Sequence, residues 1–326
     1  MAAPSTRRFG PKVDGFVIAI LLAVIVASVF PAGGAVADGL DVAMKLAIAL
    51  LFFMYGGRLQ PREALAGLRH WRLHLVILTF TFVVFPVLGQ AMRLLEGWLL
   101  PEVLLAGMFY LCAVPSTVQS SIAFTSIAKG NVAGAIVSAS ASNLMGVVLT
   151  PLIVVMTMGG AQHGGLQFGA IRDLVLQILL PFLVGQLSRR WTAQWLIANK
   201  SWLTYVDRGI IVSVVYSAFS RGMREGMWTL VGVGDLLVLL GIVLVLLALM
   251  LWLTAAVADK LGFNREDRIA IQFCGTKKSL ATGLPMALVL FPGQPVGLLV
   301  LPMMVFHQVQ LMACSVLASR YARDEV

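Results

Sequence analysis

Ten runs of about twenty apolar residues constrain this chain more than anything else in it. They fall at 14–30, 40–57, 73–92, 103–128, 132–157, 171–188, 203–220, 235–257, 268–290 and 296–318. At about 1.5 Å per residue, a helix of that length crosses the roughly 30 Å hydrocarbon core of a bilayer. Lipid offers the backbone no hydrogen-bond partner, so each run must satisfy its own polar groups as a helix. The predicted fold class is an all-α polytopic membrane protein with ten transmembrane helices. Composition agrees: 59% of the 326 residues are hydrophobic and 12% are charged, where soluble domains run near about 45–50% and about 25%. Cys112, Cys274 and Cys314 lie inside apolar runs. They read as small buried hydrophobes, with neither metal-ligand spacing nor a disulfide framework.

A net charge of +9 would suggest a nucleic-acid partner in a soluble protein. In a membrane protein it is a topology signal, because lysine and arginine concentrate in cytoplasmic loops. Alternate loops, beginning with the N-terminus, hold seventeen of the basic residues, among them Arg7, Arg8, Lys12, Arg58, Arg62, Arg69 and Arg72. The opposite side holds four, Arg93, Arg172, Arg221 and Arg224. The expectation is an integral protein of the cytoplasmic (inner) membrane with both termini cytoplasmic. Its partners are then the lipid bilayer and a small-molecule substrate, with no nucleic acid, and nothing in the sequence fixes an oligomeric state. Arg7, Arg8, the apolar stretch Phe16 to Phe30 and Ala35-Val36-Ala37 imitate a cleavable signal peptide. Cleavage would leave nine segments and scramble the charge parity, so a retained first helix is expected.

The chain repeats itself. Glu102-Val-Leu-Leu-Ala-Gly-Met-Phe-Tyr-Leu-Cys112 is echoed by Glu266-Asp-Arg-Ile-Ala-Ile-Gln-Phe-Cys274, at a spacing of half the chain. Residues 1–163 then form one five-helix repeat (helices 1–5) and residues 164–326 a second (helices 6–10). Five is odd, so the second copy runs through the membrane inverted, the arrangement of secondary transporters. Both copies break at the same place. Val114-Pro-Ser-Thr-Val-Gln-Ser-Ser121 interrupts the fourth segment; Gly275-Thr-Lys-Lys-Ser279, with Pro285 soon after, interrupts the ninth. Irregular backbone at membrane depth survives only where protein covers it or it lines a cavity. Paired breaks at corresponding positions therefore point to a binding site. Pro86, Pro151, Pro181 and Pro302, without polar company, read as kinks.

The polar residues inside the spans sharpen this. No acid lies well within a span on this map, yet Lys277 and Lys278 sit near mid-membrane, where insertion costs about 2.5–3.5 kcal/mol each. One reading pairs one lysine with carbonyls of the broken helix and turns the other to a water-filled cavity. The sharper reading has at least one bind an anionic substrate, helped by the positive end of the half-helix starting near Ser279. Lys45 reads as a snorkelling residue. Asn143 is the costliest polar residue of the fifth segment to bury and joins the site. His307 lies in a polar stripe with Gln308 and Gln310, and serves either the site or packing. Ser116, Thr117, Gln119, Ser120 and Ser121 of the first break and Thr276, Lys277, Lys278 and Ser279 of the second complete the candidate set.

These residues bring a family with them. Leu111 to Ala133, ending in Ala128-Lys-Gly-Asn-Val-Ala133, resembles the first crossover helix of the bile acid:sodium symporter family. Gly262-Phe-Asn-Arg-Glu-Asp267 through Phe273 to Pro285 resembles its second, most closely in the divergent sodium/bile acid cotransporter 7-like branch. The resemblance covers nearly the whole chain. It implies two inverted five-helix repeats with broken crossover helices 4 and 9. It also implies a core domain (helices 3–5 and 8–10), a panel domain (helices 1, 2, 6 and 7) and sodium-coupled transport at the crossing. The sodium ligands are only partly kept. Gln272, Phe273 and Cys274 occupy the region of the family's glutamate, Ala135 and Ala139 replace hydroxyl residues, and a Ser-Asn pair falls near Ser120, Ser121 and Ile122. Sodium, if carried, would fall to Ser120, Ser121 and Gln272; no other cofactor is implied. A lysine cation can stand in for one sodium electrostatically, leaving transport sodium-independent or coupled to fewer ions. The function expected is a secondary active transporter of a small organic anion, not an enzyme. The rivals are a proton-coupled carrier or uniporter, a channel, an intramembrane enzyme using Cys112, His307 or a serine as nucleophile and base, and a membrane regulator that transports nothing.

Overall fold

Among the described residues the apolar runs are helical, apart from one short break in each of the fourth and ninth. The computed structural model describes residues 15–58, 70–95, 98–158, 172 and 175–323, with no strand among them. The chain begins with α1 (Gly15–Val29) and α2 (Gly34–Arg58), followed by α3 (Trp71–Met92). The fourth segment is two helices, α4 (Glu102–Ala113) and α5 (Val118–Ile127), bent by 63°. Then come α6 (Val132–Met158), α7 (Val175–Leu187), α8 (Arg189–Ala198), α9 (Lys200–Arg224) and α10 (Val233–Lys260). The ninth segment is also two helices, α11 (Arg265–Thr276) and α12 (Leu280–Leu290), and α13 (Val296–Arg323) ends the fold. Arg7, Arg8, Lys12, Arg62, Arg69 and the repeat boundary at 163–164 lie outside the described residues.

Among the described helices, α3, α6, α10 and α13 are each long and apolar enough to cross a membrane, and the bent pair α4–α5 passes the same test as one span. Helices α2 and α9, 25 residues each, carry charges along their length. Asp41 of α2 bonds Arg221 of α9 at 2.7 Å, and Arg58 bonds Asp207. Asp41 and Asp207 are thus each paired with an arginine, and the two pairs fasten α2 to α9 near both ends. Residues 189–198, between two of the apolar runs, form a helix of their own, α8. It turns Leu196 inward and leaves Trp191 and Trp195 exposed, as suits a helix at a membrane–water interface.

Packing gathers the helices into two groups. Helices α1, α2, α7, α8 and α9 pack on one another; α3 to α6 and α10 to α13 do likewise; α9 meets α12 and α13. In the first group α2 and α7 approach closely on glycine. A Cβ on Gly56 would run into the carbonyl oxygen of Phe182, and one on Gly185 into that of Phe53. Small residues let helix backbones meet where lipid supplies no hydrophobic drive. Gly185→Ala should separate the pair and cost about 1–3 kcal/mol of stability, seen as a lowered melting temperature in detergent, whereas Gly209→Ala, with open space around it, should not.

The breaks are shorter than the polar stretches that mark them. Only 114–117 and 277–279 leave the helix; Val118 to Ser121 and Gly275 to Thr276 are helical. Thr117 and Ser279 are extended residues heading α5 and α12, and the Ser279 hydroxyl accepts from Thr282 N at 3.2 Å. This is an N-cap, which supplies one of the partners that a helix start lacks. Two of the four prolines read as kinks do something more local. Pro86 and Pro181 each follow a π-helical turn, Phe80–Val84 and Val175–Leu179. Pro151 and Pro302 lie inside α6 and α13.

Candidate functional site

The two breaks cross and touch. The backbone N–H of Ser279 donates to the carbonyl of Pro115 at 2.8 Å. Two helix C-termini (α4 and α11) and two N-termini (α5 and α12) meet there, so four sets of unpaired backbone groups must find partners away from water.

One face of α6 supplies the first set. Ser142, Asn143, Gly146 and Thr150 follow the helical period and lie along the first break. Ser116 N donates to Ser142 Oγ at 3.0 Å, Asn143 Nδ2 to Ser116 O at 2.6 Å, and Thr150 Oγ1 to Ala113 O at 2.9 Å. A Cβ on Gly146 would overlap the Pro115 ring; glycine lets the break lie against the helix. The second break is tied in return. Ser116 Oγ donates to Cys274 O at 2.7 Å and Ser121 Oγ to Phe273 O at 3.4 Å. Tyr110 OH reaches Gly283 O at 2.7 Å. From α13, Gln310 takes both backbone groups of Lys278, accepting from its N and donating to its O, each at 3.0 Å. A relay also runs between the breaks: Ser279 Oγ donates to Thr282 Oγ1 at 3.0 Å, which donates to Asn143 Oδ1 at 2.8 Å.

The two lysines part company. Lys278 is the carbonyl-bound one: its ammonium donates to Thr81 O at 3.0 Å and to Cys112 O and Val114 O at 2.8 Å, beneath the ring of Phe85. Lys277 is fully buried and its Nζ has no hydrogen-bond partner. It rests 3.7 Å from the centre of the Phe124 ring. Ser120, one turn before Phe124 and on the same face of α5, likewise has a buried hydroxyl without a partner.

The remaining candidates spread outward from this centre. Thr117 is half-buried at the break and Gln119 is exposed on the first turn of α5. Thr276 Oγ1 lies 3.3 Å from Thr254 Oγ1 of α10. His307 Nδ1 lies 2.9 Å from Gln310 Nε2, next to the second break. Gln272 faces another way. It donates to Leu251 O at 2.8 Å and accepts from Tyr321 OH at 2.7 Å, while Ser121 is turned to Phe273 O. The two sequence pieces at the far ends of the broken helices meet each other: Asn131 Nδ2 donates to Asp267 Oδ1 at 2.7 Å and Asn131 N to Glu266 O at 2.9 Å. Thr81, Tyr110, Gly146, Thr150 and Thr282 belong to the crossing and were not expected from sequence. The 142/146/150 spacing and the Ser279-x-x-Thr282 cap are the signals that lead to three of them.

Comparison with known proteins bears on this arrangement. The sequence profile of the SBF-like CPA transporter family matches residues 14–323. An uncharacterized protein of Pseudomonas aeruginosa is 49% identical over 323 residues, 98% of this chain and 95% of that protein. The putative symporter YfeH of Escherichia coli K12 is 46% identical over 315 residues, covering 95% and 93%. Sodium/bile acid cotransporter 7 of Rattus norvegicus is 30% identical over 307 residues, covering 93% and 89%.

Proposed function

The chain belongs to the SBF-like CPA transporter family, and from that premise we propose that it carries a small organic anion across the cytoplasmic membrane by alternating access. One observation carries the choice of an anion. Lys277, the residue that ends α11, is a buried ammonium without a hydrogen-bond partner, two residues before the Ser279 cap of α12. An unpaired buried charge is costly, and a substrate of opposite sign removes that cost. We assign substrate contact to Ser116, Thr117, Gln119, Ser120, Asn143, Thr276, Lys277, Ser279 and His307.

The architecture of this reading is ten spans in two inverted repeats, residues 1–163 and 164–326, with both termini cytoplasmic. Helices α3 to α6 and α10 to α13 are the core; α1, α2, α7 and α9 are the panel. The contacts of α9 with α12 and α13 are where one group would slide past the other. The relatives named sodium/bile acid cotransporter 7 favour sodium symport as a second reading. Against a multi-sodium mechanism stand the two lysines at the crossing and the commitment of Gln272 to Leu251 and Tyr321. The proposal is therefore a carrier that is sodium-independent or coupled to fewer ions.

The test is uptake into proteoliposomes with radiolabelled succinate, benzoate and cholate as probes, with sodium and pH gradients imposed separately. Saturable uptake and counterflow of one of these anions, retained when choline replaces sodium, is the expected result. Strict dependence on several sodium ions would sink the reduced coupling. Large single-channel currents would replace the carrier with a channel.

A further inference from the structure

We propose that the carbonyl oxygens of Thr81, Cys112 and Val114, with the ring of Phe85, form a monovalent-cation site that the chain fills with its own Lys278 ammonium. This inference concerns a cation and holds whatever the substrate is.

Each oxygen is free for an identifiable reason. In the π turn of α3 the Phe85 N–H bonds Phe80 O, five residues back. Continued by one residue, that pattern would pair Thr81 O with the N–H of residue 86. Residue 86 is proline and has none, so Thr81 O is left without a helical donor. Cys112 and Val114 stand at the C-terminal end of α4, where the helix breaks and its last carbonyls lose their intrahelical partners. That helix end also carries partial negative charge. Three oxygens from two separate elements thus converge on one point, at 2.8–3.0 Å from a single nitrogen. The fourth wall is an aromatic face, whose quadrupole attracts cations, with its centre 4.2 Å from the same nitrogen. Nothing in this set selects a lysine over a free ion. Oxygen donors and a ring face suit any cation of ammonium or potassium size, and the tether supplies one that cannot leave.

Lys278→Ala removes the tethered cation and leaves the oxygens. Melting of the wild-type protein should be the same in choline, sodium, potassium and ammonium chloride at equal concentration. The Lys278→Ala protein, prepared in ammonium chloride, should melt about 2 °C higher in ammonium or potassium than in choline when the salt is about tenfold above its dissociation constant. Lys278→Met refills the space with an uncharged chain and should show no such difference. Three results overturn the proposal. They are equal melting of Lys278→Ala in all four salts, a cation effect as large in Lys278→Met, and no folded Lys278→Ala protein even with ammonium present. None of these measurements requires a transported substrate, so their failure is separable from failure of the transport reading.

Discussion

Lys277→Met is expected to make the protein more stable and to abolish transport. Wild-type Lys277 is buried among helices with the Phe124 ring against its ammonium and no hydrogen-bond acceptor. Replacing buried ionic groups by hydrophobic ones of similar size is often stabilising, by about 1–4 kcal/mol, and methionine adapts readily to irregular gaps. Stability should therefore rise. Transport should fall, because an anion arriving at the crossing would meet no counter-charge. Truncating one partner of a buried charged pair costs about 2–5 kcal/mol, so the rate of counterflow at subsaturating anion should drop by about a hundredfold or more. Thermal melting in detergent and counterflow on the same preparation read the two effects together. A variant that is destabilised yet transports normally would make Lys277 a packing residue and remove the basis for an anionic substrate. A variant impaired in both would point to collapse of the crossing.

The crossing is legible because each broken helix violates a rule that the rest of the chain obeys. Pro115 withholds a backbone donor within an apolar run, and its hydroxyl neighbours, like Lys277 and Lys278, are polar where the flanking residues are apolar. What was not legible is which lysine does what. Adjacent residues leave the backbone in different directions, and the partners that decide the matter, Thr81 for one and Phe124 for the other, are far away in sequence. Thr81 itself looks like any threonine in a membrane helix. Only the combination of Pro86 with a π turn, which the sequence does not announce, frees its carbonyl. Gly146 and Thr150 were hidden for a different reason. Glycine and threonine are ordinary in close-packed membrane helices, and their meaning appears only when Pro115 and Ala113 are seen lying against them. The expected breaks also ran too long. A polar residue need not interrupt a helix: Ser121 remains helical and uses its hydroxyl to hold Phe273 O of the other broken helix.

The second large effect is expected at Asn143. Its carboxamide is one link of a directed chain: Ser279 donates to Thr282, Thr282 donates to Asn143 Oδ1, and Asn143 Nδ2 donates to Ser116 O at 2.6 Å. Only a side chain with a donor and an acceptor on one rigid group can stand at this position. Asn143→Asp keeps the shape and removes the donor. Its ionised oxygen would face the Ser116 carbonyl, and leaving buried polar groups unmatched costs about 1–3 kcal/mol each, more for a charge. Two mismatched groups predict about a hundredfold or greater loss of counterflow. Thr282→Val removes a single link and should cost about tenfold. The decisive comparison is the double variant. If the relay acts as a unit, Asn143→Ala combined with Thr282→Val will be no worse than Asn143→Ala alone, because the threonine hydroxyl has by then already lost its acceptor. Additive losses would mean that the two residues serve their own helices separately. The two broken helices would then be held together by the Ser279–Pro115 backbone bond and the carbonyl contacts, without an Asn143 relay.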